Sequence, residues 1–214
     1  MKFTAALLCA GTPALVLALP PSGASQVVPR QSTTLATVVK AELTGDGCPP
    51  NSWTFSQHPE NLQNAVIGLD KFLVQVQKGT NLPDIPSSER EKRCDIAWYI
   101  QYPVGCTMLD FQNRFDTFVD IAGELQAKVR VSYVPQTGSV TPNTPQELVF
   151  KYTQTGDMNQ LSVASGRIEV PDKDHSLLKF TVSTRGFVEH LSGDGGAVWQ
   201  LQSLNLLLMN QRAC

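Results

Sequence analysis

An all-β fold is predicted, a single antiparallel β-sandwich of roughly eight strands stapled by disulfides. Three observations carry it. Residues 124–134 alternate, with Leu125, Ala127, Val129, Val131 and Tyr133 on one parity and Glu124, Gln126, Lys128, Arg130 and Ser132 on the other. That is the period of a strand with one dry and one wet face. The segment that follows, 135–145, holds three prolines and one glycine, which ends pairing on both sides. Once a secretory signal is removed, four cysteines remain (Cys48, Cys94, Cys106 and Cys214), an even set for an oxidising compartment.

The signal is read from Met1-Lys2 and the uncharged apolar run from Phe3 to Leu19, with small residues at Val16/Ala18 or Ser22/Ala24. It is assigned to 1–18, with cleavage as late as 24. The run is too short and too interrupted for a membrane span, and no later stretch qualifies. Residues 19–44 carry Pro, Ser, Thr and Gly with few apolar anchors, so a disordered leader is expected there. The domain is expected to occupy 45–214, opening at Gly47-Cys48-Pro49-Pro50. Further strands are expected at 52–56, 65–77, 94–102, 146–153 and 177–184. The mixed-sign run Glu89-Arg90-Glu91-Lys92-Arg93 reads as a solvated loop ahead of a strand. From Ala197 to Arg212 the apolar phase changes: Trp199 and Leu201 share one parity, Leu204, Leu206 and Leu208 the other. A strand there needs a bulge.

Two segments fit a helix as well as a strand. Phe111, Phe115, Phe118, Ala122 and Leu125 recur at helical spacing, as do Leu62, Val66, Leu69, Phe72 and Val76. No internal repeat or linker divides the chain, so one domain is expected. Its net charge of −2 and pI near 5.9 exclude a basic nucleic-acid footprint. Nothing signals an oligomer, and a monomer is expected.

Chemistry is sparse. There is no Gly-x-Ser-x-Gly, no HExxH and no phosphate-cradling loop. Ser192-Gly193-Asp194-Gly195-Gly196, near Glu189 and His190, reads as a turn between strands, because a nucleophilic serine needs an oriented base. Asp172, Asp174 and His175 are the densest potential metal ligands but lack the remaining positions of a calcium loop, and His58 reads as a turn residue. No cofactor, no metal and no catalytic residue is assigned. Asp110, Asp116 and Asp120 are candidates for a hydrolytic carboxylate pair. Trp98, Tyr99, Tyr102, Phe111, Phe115 and Phe118 are candidates for a sugar-stacking face, with core packing the favoured role for most of them.

The succession Gly47-Cys48-Pro49, Gly68-Leu69-Asp70-Lys71-Phe72, Arg93-Cys94-Asp95-Ile96, Tyr102-Pro103-x-Gly105 and terminal Cys214 resembles domain of unknown function 4360, a family of secreted fungal and actinobacterial proteins. The resemblance spans about 45–214 and implies a compact β domain, which moves both ambiguous segments toward strand. It implies no activity. The family's third cysteine, in a Pro-Cys-Gly turn, is absent near Pro171–His175; Cys106 stands instead after Gly105.

If 94–102 and the residues from 106 form a hairpin, Cys94 and Cys106 lie about 25 Å apart at ~3.3 Å per residue, too far for a bridge. Loop-closure entropy separates the other pairings by only about 0.3 kcal/mol, so both stay open. Cys48–Cys94 with Cys106–Cys214 is the working assignment. Secretion, disulfides, near-neutral charge and missing catalytic motifs together point to a non-enzymatic binding or effector-like protein acting outside the cell. Its expected partner is a cell-wall glycan or a host extracellular protein. The alternative is a small hydrolase with a carboxylate pair.

Overall fold

The computed structural model describes residues 35–78, 85–121, 124–136, 138–152, 156–170, 177–192 and 195–209. Twelve strands, where eight were expected, account for nearly all of them. They are β1 (Thr37–Thr44), β2 (Trp53–His58), β3 (Asn61–Leu69), β4 (Leu73–Lys78), β5 (Glu91–Gln101), β6 (Met108–Ile121), β7 (Glu124–Pro135), β8 (Ser139–Thr141), β9 (Gln146–Tyr152), β10 (Gly156–Glu169), β11 (Leu177–Ser192) and β12 (Gly195–Met209). A single helical turn, α1 (Ser87–Arg90), takes up the start of the charged run that was read as a loop.

The strands form two antiparallel sheets. The five-stranded sheet runs β1-β5-β11-β7-β9, and the seven-stranded sheet runs β2-β3-β12-β6-β10-β8 with β4 also against β12. Buried residues from both inner faces make one core. Phe111 of β6 packs edge-on against Tyr133 of β7 at 4.9 Å and at a tilt against Phe180 of β11 at 5.2 Å. Trp199 of β12 meets Phe150 of β9 and Phe72 at 6.2 and 6.1 Å. Each of these aromatic clusters joins the two sheets, and such pairs add to the burial term.

Both ambiguous segments are strands. In β6 the inward residues are Leu109, Phe111, Asn113, Phe115, Thr117 and Val119. Only every second inward position carries a ring, and that spacing of four imitates a helix. The 62–76 segment divides into β3 and β4 around Asp70-Lys71, so the single strand expected at 65–77 is two. β12 shifts register between Leu201 and Ser203, where the phase change requires a bulge.

Three strands escaped the sequence reading. β1 lies in the stretch assigned to the leader, yet Ala36, Val38 and Ala41 are buried. A register shift between Val38 and Lys40 breaks its alternation, which hides the strand from a period-two pattern. β8 is only three residues long. β10 exposes Leu161 and Val163 on one face while burying Ala164 and Ile168 on the other, so apolar residues fall on both parities.

The hairpin expected across 103–105 does not form: β5 belongs to the five-stranded sheet and β6 to the seven-stranded one. A disulfide joins Cys48 to Cys94, with Cα atoms 5.6 Å apart. Its approach depends on Gly45 and Gly47. A Cβ at Gly45 would sit 2.2 Å from the Arg93 carbonyl oxygen, and one at Gly47 would sit 2.6 Å from the Phe72 ring. Gly47 N–H donates to that same Arg93 oxygen at 2.9 Å, and Asp46 Oδ1 accepts from Arg93 N–H at 2.8 Å. Cys106 is also disulfide-bonded; its assignment to Cys214 lies outside the described residues. So do the signal peptide, the leader up to residue 34, and Asp172, Asp174 and His175. No helix among the described residues is long and apolar enough to cross a membrane.

Candidate functional site

β6 carries Asp110, Asp116 and Asp120 on the outward face of the seven-stranded sheet, because all three have the parity opposite to Phe111 and Phe115. Side chains on one face of one strand are separated by the rise of the backbone. Asp110 and Asp116 therefore stand ~20 Å apart, and Asp116 and Asp120 ~13 Å. A glycosidase pair needs carboxyl groups at roughly 5–9.5 Å, so these three do not form one. Asp116 is instead a structural acceptor, taking hydrogen bonds from Ser203 Oγ at 2.8 Å and Asn205 Nδ2 at 3.0 Å on β12.

Asp110 belongs to a different arrangement. In the β6–β10 register it lies opposite Arg167, whose Nε and Nη2 donate to its two carboxylate oxygens at 2.5 and 3.2 Å. This two-pronged contact holds both groups in a plane. Beside them opens a cavity of about 500 Å³. Its polar lining is Asp110, Arg167, Glu169, Thr141 and Ser165, with Met108 and Met209 as apolar walls. Glu169 is steadied by Ser139 Oγ, which donates to it at 2.7 Å.

Gly166 leaves room for the Phe111 ring beneath this groove. A Cβ there would stand 2.5 Å from Phe111 Cζ and 2.9 Å from the Thr141 carbonyl oxygen. The side chains lining the groove stand on strands whose register is continuous from Gly156 to Glu169, so the site is set by the sheet rather than by a long loop.

Four of the six candidate aromatics, Trp98, Tyr102, Phe111 and Phe115, are buried, as core packing requires. Tyr99 reaches the outer face of the five-stranded sheet. There Lys40 and Lys179 Nζ stand 5.2 and 5.1 Å from its ring centroid, and its hydroxyl donates to Glu42 Oε2 at 2.6 Å. Hydrogen bonds from Lys40 and from Tyr99 hold the Glu42 carboxyl below its usual range. A ring already faced by cations and tied by its hydroxyl is a poor sugar platform. Phe118 lies half-buried on the same sheet face as the groove.

The remaining candidates have local roles. His58 ends β2 and accepts from Glu60 N–H at 3.3 Å, a turn. Glu189 pairs with Lys128 at 3.2 Å, and the Ser192–Gly196 stretch joins β11 to β12. Among the described residues no group of three or more potential ligands could hold a metal ion. Sequence reasoning named Asp110 but missed Arg167, Glu169, Met108 and Met209. Their only shared property, a position at one end of one sheet face, exists after pairing and not before.

No curated protein matches the sequence. Among solved structures, the carbohydrate-binding module TmCBM61 in complex with β-1,4-galactotriose is 10% identical with a TM-score of 0.26, over 79% of this chain and 88% of that one. The CBM22-1–GH10 modules of Clostridium thermocellum xylanase 10B, complexed with xylohexaose, are 13% identical with a TM-score of 0.26, over 83% of this chain and 28% of that one. The mannan-recognising module TmCBM27 is 11% identical with a TM-score of 0.25, over 80% and 98%. Likenesses this shallow carry no argument about a ligand. The family is secure on other ground: the model of domain of unknown function 4360 matches residues 35–174, and the chain belongs to that family.

Proposed function

We propose that the protein is exported and acts outside the cell as a non-enzymatic binding protein, taking a cell-wall glycan in the groove at the Asp110–Arg167 end of the seven-stranded sheet. The observation that carries this reading is the arginine–carboxylate pair fixed in a plane beside a cavity of about 500 Å³, a size suited to a small ligand segment. A guanidinium has five N–H donors, and the contact with Asp110 uses two of them. Carboxylate, hydroxyl and guanidinium groups suit the alternating donors and acceptors of a sugar ring, and the two methionines suit its C–H faces.

The lining holds two carboxylates, Asp110 and Glu169, against one guanidinium. That balance favours a neutral glycan over a polyuronate or a phosphate. It also suits a hydroxyl-rich ligand better than the apolar anchors by which proteins usually dock, so glycan is preferred to a host protein. Catalysis is not part of the reading, because both Asp110 oxygens are engaged by Arg167, and Glu169, the other carboxylate of the lining, is held by Ser139.

The test is retention of the secreted, mature protein on insoluble cellulose, chitin, β-glucan, xylan and mannan, with pectate as the charged counterpart. The expected result is retention on at least one neutral polymer with no release of reducing ends. Arg167→Ala should weaken it by on the order of 10-fold or more, as losing a hydrogen bond to a charged group does. Retention on none, or on pectate alone, overturns the reading, and release of reducing ends restores the hydrolase alternative.

A further inference from the structure

On the seven-stranded sheet Phe118 is a ring left outside the core. It has the parity of Asp110 and Asp116, so it faces outward, and it is not part of the buried cluster. Among the described residues no second ring and no cation packs on it. A single half-exposed ring needs no explanation by itself. Its place in the sheet gives it one.

Five outward positions of β6 run in line from the groove to that ring: Asp110, Gln112, Arg114, Asp116 and Phe118. At ~3.3 Å per residue the line is about 26 Å long. The register fixes its flanks. Gln112 lies between Ser165 of the groove lining and Leu207, Arg114 between Val163 and Asn205, and Asp116 between Leu161 and Ser203. Polar groups thus follow the middle of the line, and apolar side chains stand at intervals on both sides. The middle is also held in place. Asp116 accepts from Ser203 Oγ and Asn205 Nδ2, and Arg114 Nε lies 3.4 Å from its other oxygen. Groups already ordered lose little freedom when a ligand binds.

We propose that the glycan site runs from the groove along β6 to Phe118 and takes an extended, unbranched, neutral chain lengthwise, with one sugar ring stacked on Phe118. This rests on the glycan reading above and lengthens its site. The occupant is a glycan because of what frames the ring: Asp116 and Asp120 along the strand and Gln200 across it. A protein seated there would strip water from those carboxylates without pairing them, and the centres of protein interfaces are depleted in charge. A sugar chain gives hydroxyls to the carboxylates, amides and guanidinium, while its C–H faces meet the negative face of the ring. Asp110, Asp116 and Asp120 outnumber Arg114 and Arg167 along the line, which disfavours an anionic chain.

The test is calorimetric titration of the mature protein with cello-, chito-, laminari-, xylo- and manno-oligosaccharides, from trisaccharide to octasaccharide. In a series that binds, affinity should rise with length and level off once the chain spans the line. Phe118→Ala should lower the ratio of octasaccharide to trisaccharide affinity roughly 10-fold, with an unchanged circular dichroism spectrum. Phe118→Trp should keep the ratio, and so should Phe187→Ala, which removes a ring from the outer face of the other sheet. An affinity flat in length, or a folded Phe118→Ala protein with the native ratio, overturns the extension and leaves the groove reading standing. Arg167→Ala should weaken every length; if it weakens none, the groove reading falls, and with it a site that starts there. Binding of no series overturns both.

Discussion

The outward faces of the two sheets handle polar residues in opposite ways. On the five-stranded sheet nearly every charge is matched by a neighbour, along one strand for Lys40 with Glu42 and Arg93 with Asp95, and across a strand pair for Arg185 with Glu91 and for Lys128 with both Glu147 and Glu189. Its exposed rings are covered as well, Tyr99 by two lysines and Phe187 by Lys128 Nζ at 5.8 Å. On the seven-stranded sheet the polar groups gather in two places, around Asp116 and around Asp110, with exposed Leu161 and Val163 on the neighbouring strand. A face whose charges are satisfied within the sheet has little to offer a ligand. A face with a fixed polar pair beside a cavity and apolar groups alongside does.

The largest effect comes from cutting the tie between the two sheets. Cys48 precedes β2 of the seven-stranded sheet and Cys94 sits in β5 of the other, at a sequence separation of 46. Replacing both by Ala should cost roughly 4 kcal/mol by loop-closure entropy, read as a lowered urea midpoint with a raised m-value, because the unfolded chain expands once the cross-link is gone. A loss under ~1 kcal/mol would mean that the bridge constrains little that packing does not.

Next is the polar contact through the core. Asn113 Nδ2 of β6 donates to Tyr133 Oη of β7 at 3.4 Å, and burial pushes the Tyr133 hydroxyl up to about 12 from 10.0, the Asn113 bond opposing. A phenol whose folded pKa exceeds its unfolded one binds its proton more tightly in the native state. That stability is complete below pH 10 and is lost as pH rises toward 12. The loss should be roughly 2–3 kcal/mol. Tyr133→Phe should flatten the slope of stability against pH in that window. An unchanged slope would assign it to other groups.

The faces themselves separate in the third comparison. Arg167→Ala on one face and Arg185→Ala on the other each remove an arginine from a two-pronged carboxylate contact. Only the first should lower glycan retention, by on the order of 10-fold. Equal losses from both would place the ligand elsewhere. The smallest effect is on stability. Lys128→Ala should cost at most ~1 kcal/mol, falling in high salt because the pairs are partly solvated. Asp116→Ala should cost about 1 kcal/mol through its bonds to Ser203 and Asn205, with weaker salt dependence because only its solvated pair with Arg114 at 3.4 Å is screened. Matching salt profiles would remove the distinction between the faces.

Much of the architecture was legible in the chain. The alternation of 124–134 is β7, the phase change after Leu201 is the bulge of β12, and the Gly-Cys-Pro and Tyr-Pro-x-Gly succession marks the family. These are local properties: a side chain's parity and a backbone's turn preference are written within a few residues. β1 and β10 were not legible, because one is bulged and the other carries apolar residues on both faces.

The site was legible only as single residues. Asp110 was named for its charge, but its partner is 57 positions away, and no spacing rule links the two. Asp116 and Asp120, grouped with it by nearness in sequence, are held apart by the rise of the strand that carries all three. The sequence by itself therefore determined the fold class, the family and the interior parity of each regular strand, since burial acts on every residue where it stands. Which strands became neighbours, which ring was left outside the core and which charges met over the groove were decided by tertiary structure alone. Pairing brings together residues that share no local signal.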